Sequence, residues 1–236
     1  NEQYVTTENH RYKTHPWLKQ LVPFNSFNEK RIIEIGCGQC IDFSQFCKAG
    51  AYAIGLDLTP EGISLGRGRL EHFGLMPYAD LVLANAERIP FRQDSFDYVY
   101  SYGVIHHTKR TQMAINNIYE ILKPNHDFNI MYYYTYSFTK VIEGTAKLLN
   151  KALVGIIGDK DIMWKIIKKL SLGKSQRDVT AYVNTKVSAT LHAPIIKTYS
   201  MRKSKKMFGK FRDICFTLVH LHPIVEHFTG RGRGGL

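Results

Sequence analysis

The 236-residue sequence predicts a doubly wound α/β fold built on a mostly parallel sheet. Three observations carry that prediction. Between Arg31 and Tyr134, short apolar runs alternate with stretches of helical spacing, the pattern of strands joined by crossover helices. The apolar runs have the length of buried strands. A glycine pair, Gly36 and Gly38, sits directly after the first run and directly before the first helical stretch, where α/β folds turn from strand to helix beneath a ligand. Right-handed crossovers put every strand's C-terminal end on one edge of the sheet, so the binding loops should converge there.

Taken in order, residues 1–30 form a lead-in with Tyr4, Arg11, Tyr12 and Trp17. It folds over the site as a lid or packs as a terminal helix, and composition does not choose between them. Strands follow at Arg31 to Ile35, Tyr52 to Asp57, Ala79 to Ala84, Phe96 to Ser101 and Phe128 to Tyr134. Helices fall at Ile41 to Lys48, Glu61 to Phe73 and Gln112 to Leu122, the last stopped by Lys123 and Pro124 because proline cannot continue a helix. Residues 31–140 are thus one α/β core.

After Tyr134 the pattern changes. Val141, Thr145, Leu148, Ala152 and Ile156 share one helical face; Ile162, Met163, Ile166, Ile167 and Leu170 share another, opposed by Lys165, Lys168 and Lys169. Two amphipathic helices are expected in 141–194, as a cap that shapes an acceptor pocket, as core packing or as a membrane-surface element. Residues 195–228 should hold a closing strand pair at Ile195 to Tyr199 and Phe211 to Leu221, and 229–236 (TGRGRGGL) reads as a disordered tail without apolar periodicity. No stretch approaches the ~20 apolar residues of a membrane-spanning helix, and the opening NEQYVTTENHRYK lacks a signal-type apolar run. A soluble, cytoplasmic protein is expected.

Charge is uneven along the chain. Residues 1–139 hold 13 Lys and Arg against 14 Asp and Glu, whereas 140–236 hold 19 against 6. The C-terminal part is therefore suited either to an anionic substrate, lipid surface or nucleic acid, or to plain solvation. Four cysteines, at 37, 40, 47 and 215, suit a reducing compartment. Cys37 and Cys40 form a CxxC with no second pair to complete a zinc site, and His220, His222 and His227 have only Glu226 as a nearby carboxylate. No metal is expected.

The segment RIIEIGCGQCIDFSQF carries the chemistry. Glycines at 36 and 38 permit a tight turn and close approach of a ligand to the backbone. A nicotinamide dinucleotide is disfavoured, because the third glycine of GxGxxG would fall on Ile41. EIGCGQC instead resembles the first motif of class I S-adenosylmethionine-dependent methyltransferases, and the likeness continues in order through GLDLTPEGI, ANAERIPF, FDYVYSYGVIHHT and MAINNIYEILKPNHDFNIMYY. Within that family it is similar to the small-molecule, ubiquinone-biosynthesis-like group. The resemblance implies a Rossmann-like, seven-stranded, doubly wound sheet with a helical cap inserted in the C-terminal part, and S-adenosylmethionine as cofactor.

Carried over residue by residue, the resemblance implies Glu34 near the methionine amino group, Gly36, Cys37 and Gly38 beneath the methionine and ribose, and Asp57 on both ribose hydroxyls. Leu58 would pack on adenine, Asn85 would accept from its amino group, Ala86 would offer its amide, and Ser101 and Tyr102 would flank the methionine. Asp57 suits its role independently, ending a strand about 20 residues after the glycines. Two departures stand out: Cys40 replaces the motif's third glycine, and Pro124-Asn125-His126 replaces a PGG turn. Cys40 is expected to narrow the site slightly, and Asn125 tolerates a left-handed turn.

A methyl group on a sulfonium is already activated, so transfer needs in-line positioning and, for a protonated nucleophile, a base. His106 and His107, just after the fourth strand, are the candidates. The expected function is methyl transfer to oxygen or nitrogen of a small metabolite, an anionic one being suited to the basic C-terminal part. The alternatives are an acidic macromolecular or lipid acceptor, with RNA or a membrane surface as partner, and a non-catalytic subunit of the same fold.

Overall fold

The computed structural model describes residues 2–133, 197–219 and 225–231. Its parallel strands are β1 (Arg31–Ile35), β2 (Tyr52–Asp57), β3 (Ala79–Leu83), β4 (Phe96–Tyr102) and β5 (Leu122–Tyr133). Antiparallel strands β6 (Arg212–Val219) and β7 (Val225–Arg231) complete the order β3-β2-β1-β4-β5-β7-β6. The helices are α1 (Glu2–Thr14), α2 (Leu18–Leu21), α3 (Ile41–Lys48), α4 (Pro60–His72), α5 (Thr111–Ile121) and α6 (Met201–Met207). The chain runs outward from β1 to β3 and then returns to place β4 on the other side of β1. That reversal opens a crevice at the C-terminal ends of β1 and β4.

Alternate residues of each strand serve opposite faces. Ile33, Ile35 and Val99 pack with Ile115 and Ile118 of α5 and with Phe208, while Ile32, Tyr98 and Tyr100 pack with Phe43 and Phe46 of α3 and Leu70 of α4. Burial on both faces explains why these strands read as continuous apolar runs. Phe208 seals the first face by stacking on Phe128, with ring centroids 5.6 Å apart and planes 8° from parallel. α4 starts at Thr59, whose hydroxyl accepts the Gly62 N–H at 3.1 Å, with Pro60 in the first turn.

Three expectations change. β5 begins at Leu122, six residues before the expected start, because Leu122 pairs with Phe96 and the ladder resumes only at Tyr98 with Asp127. The residues between bulge through Pro124 and Asn125, where a missing N–H is tolerated, and Asn125 takes the left-handed conformation (φ 61°) that its position required. The closing pair is Arg212–Val219 with Val225–Arg231, while Tyr199 makes only an isolated bridge, its N–H donating to Tyr133 C=O at 3.1 Å. Thr229, Gly230 and Arg231, expected in a disordered tail, lie in β7 between β5 and β6. A strand paired on both sides is held by its backbone ladder, which needs no apolar periodicity. The expected cap over 141–194, together with His220 and His222, lies outside the described residues. Among the described residues no helix is long and apolar enough to cross a membrane.

α1 is unusual in burying no residue. Arg11 and Tyr12 bond to Asp42 of α3, Glu8 pairs with Lys48 at 3.0 Å, and Arg69, fully buried on α4, lies 3.7 Å from Glu8 and donates to Thr7 Oγ at 2.5 Å. Polar contacts, joined by Tyr4 against His72 and Phe73 and Tyr12 against Phe24, anchor this helix without full burial.

Candidate functional site

Two cavities meet at Gly36, at the C-terminal ends of β1, β2 and β4. The larger, about 480 Å³, lies between Asp57 and Leu58 on one side and Asn85, Ala86 and Glu87 on another, with Val104 and His107 also lining it. The smaller, about 230 Å³, is walled by Arg11, Glu34, Cys37, Asp42 and Tyr102. Gly36 has φ 79°, and a Cβ there would collide with Val104, so only glycine lets the two spaces join beneath the loop.

Asp57 is more occupied than expected. Its Oδ2 accepts the Gly38 N–H at 2.9 Å, and its Oδ1 accepts the Thr59 N–H at 2.9 Å and the Thr59 hydroxyl at 2.8 Å. A carboxylate offers about four lone-pair directions. Holding two ribose hydroxyls therefore requires the Thr59 hydroxyl to turn away. Leu58, 65% exposed, presents a large apolar face at the cavity lip. Asn85 Oδ1 accepts the Glu87 N–H at 2.8 Å, which occupies one of its two lone pairs.

The smaller cavity is acidic. Glu34 is 5% exposed on β1, and its Oε2 has no hydrogen-bond partner among the described residues. Burial, then the neighbouring Asp42 and Cys37, hold its carboxyl well above the usual range. Asp42 is satisfied by Arg11 and by the Tyr12 and Tyr100 hydroxyls, at 3.1 and 2.9 Å. Arg11 also lies over the Tyr102 ring, 4.2 Å from its centroid. Arg11 is shared with Asp42 and offsets only part of the cost of ionising Glu34, so an ammonium or sulfonium beside Glu34 would favour its carboxylate.

Cys40 does not narrow the site as expected. It adopts the left-handed conformation (φ 58°) demanded of the motif's third glycine, and it is fully buried. Its sulfur points between α3 and α4, where Gly66 leaves room for it: a Cβ on Gly66 would meet both Cys40 Sγ and the Gly38 carbonyl. Ser101 does not reach either cavity. It faces the opposite side of β4 from Tyr100 and Tyr102, and its hydroxyl donates to Ile35 C=O at 3.0 Å; strand alternation separates it from Tyr102.

The two histidines also part. His107 lines the larger cavity. His106 is fully buried beneath it, its ring tilted against those of His107 and Tyr133 at centroid distances of 4.0 and 4.5 Å, with neither ring nitrogen hydrogen-bonded among the described residues. Burial, with His107 beside it, lowers its pKa to about 3. A buried imidazole with that basicity is not placed to take a substrate proton, which corrects the expectation for His106.

Sequence reasoning missed the supports. Asp42 carried no signal beyond an acid in a helix's first turn. Glu87 accepts from the Arg110 N–H at 3.0 Å and Nε at 2.9 Å, tying the loop after β3 to the start of α5. Lys197 donates through Nζ to the Thr108 carbonyl at 2.8 Å and through its amide to the His106 carbonyl at 3.1 Å, so the C-terminal part pins the loop that carries His107.

Residues 33–128 match the family model described as a methyltransferase domain. Over 79 residues the chain is 38% identical to the ubiquinone/menaquinone biosynthesis C-methyltransferase UbiE of Bartonella henselae, an alignment covering 33% of this chain and 30% of that protein. The chain thus matches less than a third of that curated relative's length. Among solved structures, a SAM-dependent methyltransferase from Aquifex aeolicus superposes with a TM-score of 0.54 at 10% identity, covering 90% of this chain and 87% of that one. The [4+2]-cyclase SpnF superposes with a TM-score of 0.63 at 10% identity, covering 95% of this chain and 81% of that one. These structural likenesses show a shared Rossmann-like fold, and one of the two named activities is not methyl transfer.

Proposed function

We propose, from the premise that residues 33–128 form a class I S-adenosylmethionine-dependent methyltransferase domain, that the chain transfers a methyl group to a small metabolite. The observation that carries this is the pair of cavities meeting at Gly36, with the buried carboxyl of Glu34, its Oε2 without a hydrogen-bond partner among the described residues, in one and Asp57 with Leu58 in the other. Bound there, S-adenosylmethionine supplies a methyl group on a cationic sulfur.

Glu34 would take the ammonium of its methionine part, and Tyr102 would lie beside that part. Gly36, Cys37 and Gly38 would run beneath it. Asp57 would hold the ribose, Leu58 would cover the adenine, and Asn85 and Ala86 would meet the adenine edge, Asn85 through the remaining lone pair of its Oδ1. α1 acts as a lid in this reading, because it brings Arg11 to the wall of the smaller cavity. Residues 141–194 would cap the acceptor, which completes the seven-stranded, capped architecture. The acceptor atom is oxygen or nitrogen, or carbon as in the named relative.

His107 is the base for an acceptor that starts protonated. With the acceptor identified, His107→Gln should lower turnover by roughly 10²- to 10⁴-fold with product affinity unchanged, whereas His106→Gln should act on stability. An unaltered turnover in His107→Gln would remove the base.

Calorimetric titration with S-adenosylhomocysteine tests the site. The native protein should bind, and Asp57→Ala should bind roughly 10- to 100-fold more weakly, the value of one hydrogen bond to a charged group. Failure of the folded native protein to bind would refute the reading.

A further inference from the structure

α6 and the turn after it gather six basic residues, Arg202, Lys203, Lys205, Lys206, Lys210 and Arg212, all exposed, with Asp213 the single acid from Met201 to Asp213. The helix is held from the other side. Ser204 and Met207 are buried, Phe208 stacks on Phe128, and Gln112 of α5 donates to the Met207 carbonyl at 3.0 Å. None of the six cations forms an ion pair among the described residues.

Helix stability accounts for only part of these charges, since Lys205 and Lys206 in the last turn suit the helix dipole. Arg202 and Lys203 stand in the first turn, where no acid is present and the helix dipole disfavours cations. Arg202 with Lys206 repeats like charge at four-residue spacing within the helix, which also opposes it. The charged side is fixed in place by the buried side, so it is presented as one surface.

We infer that this face of α6 docks on an anionic phospholipid surface. A cluster of four to eight lysines and arginines on one side of an anchored helix matches the diffuse negative charge of such a surface. Single-stranded nucleic acid is the weaker match, because sequence-tolerant binding of that kind needs aromatic platforms for the bases. Phe208, Phe211 and Tyr199 are buried, and Tyr199 and Tyr119 have Lys203 and Lys210 over their rings. The surface continues toward the larger cavity, since Lys197 at the head of this segment is bonded to the loop bearing the exposed Lys109 and Arg110 at the cavity's edge.

The test is co-sedimentation of the full chain with vesicles of phosphatidylcholine mixed with phosphatidylglycerol, against phosphatidylcholine alone. Binding is expected only to the mixed vesicles and should weaken as salt is raised. Neutralising Lys205, Lys206 and Lys210 together to Gln should weaken it by roughly a hundredfold, about fivefold for each lysine. Single Lys206→Gln and Lys210→Gln variants carry the same test with the least disturbance to folding, and an unchanged far-ultraviolet spectrum confirms the fold. Equal binding to neutral vesicles, no binding, or undiminished binding by the folded triple variant overturns the inference. So does tighter binding to polyuridylate than to the mixed vesicles at the same salt, which would assign the face to nucleic acid.

Discussion

Asp42→Ala is expected to destabilise the protein by about 3–5 kcal/mol, the cost of deleting one partner of a buried charge pair. The Asp42 side chain is 3% exposed and the Arg11 side chain 20%. Removing the carboxylate leaves the guanidinium without its counter-charge and two tyrosine hydroxyls without their acceptor, that of Tyr100 fully buried. α1 feels the loss most, because it has no fully buried residue to hold it and is left with the Glu8 contacts to Lys48 and Arg69, the Arg69–Thr7 bond and the ring contacts of Tyr4 and Tyr12. Urea unfolding should show the lowered midpoint, and α1 amides should exchange faster than those of α3. Asp42→Asn keeps an acceptor for the tyrosines and should fall between. A loss under about 1 kcal/mol, the range of an exposed ion pair, would mean that the network does not support the fold.

Glu34→Gln should move stability and affinity in opposite directions. Burial, Asp42 and Cys37 hold the Glu34 carboxyl above its ordinary range, so the folded protein keeps that proton more tightly than the unfolded chain does. Its contribution to stability is full below the ordinary carboxylate range and is lost as pH rises through the raised value. Glutamine has no such loss. Native and variant should have pH profiles of stability that converge in acid, and the variant should be the more stable as pH rises. Binding runs the other way, because a cation in the smaller cavity favours the ionised carboxylate. S-adenosylhomocysteine, through its ammonium, should bind Glu34→Gln roughly 10- to 100-fold more weakly. Native affinity should rise with pH as the proton is released, a dependence absent from the variant. Equal affinities in calorimetry at several pH values would remove Glu34 from the site.

Much of this architecture was legible along the chain, because its signals are local. β1, β2 and α3 lie at the expected residues, bounded by glycines and filled with apolar side chains. Asp57 at a strand end and the glycines before it point to one edge of the sheet for the same reason: parallel strands and right-handed crossovers leave no other place for those loops.

What the sequence determined by itself, then, is the strand-loop-helix rhythm, the glycine loop and the acids at the ends of β1 and β2. Tertiary structure decided the rest. Arg11 meets Asp42 across 31 residues and Glu87 meets Arg110 across 23, and nothing in either neighbourhood encodes the partner. His106 and His107 are adjacent, yet one is buried under the cavity and the other lines it. Cys40 stands where glycine was expected because Gly66, on another helix, leaves its sulfur room. Gly230 and Arg231 join the sheet because β5 and β6 present backbone groups on both sides. In each case the deciding contact joins segments brought together only by folding, where packing and charge compensation override local pattern.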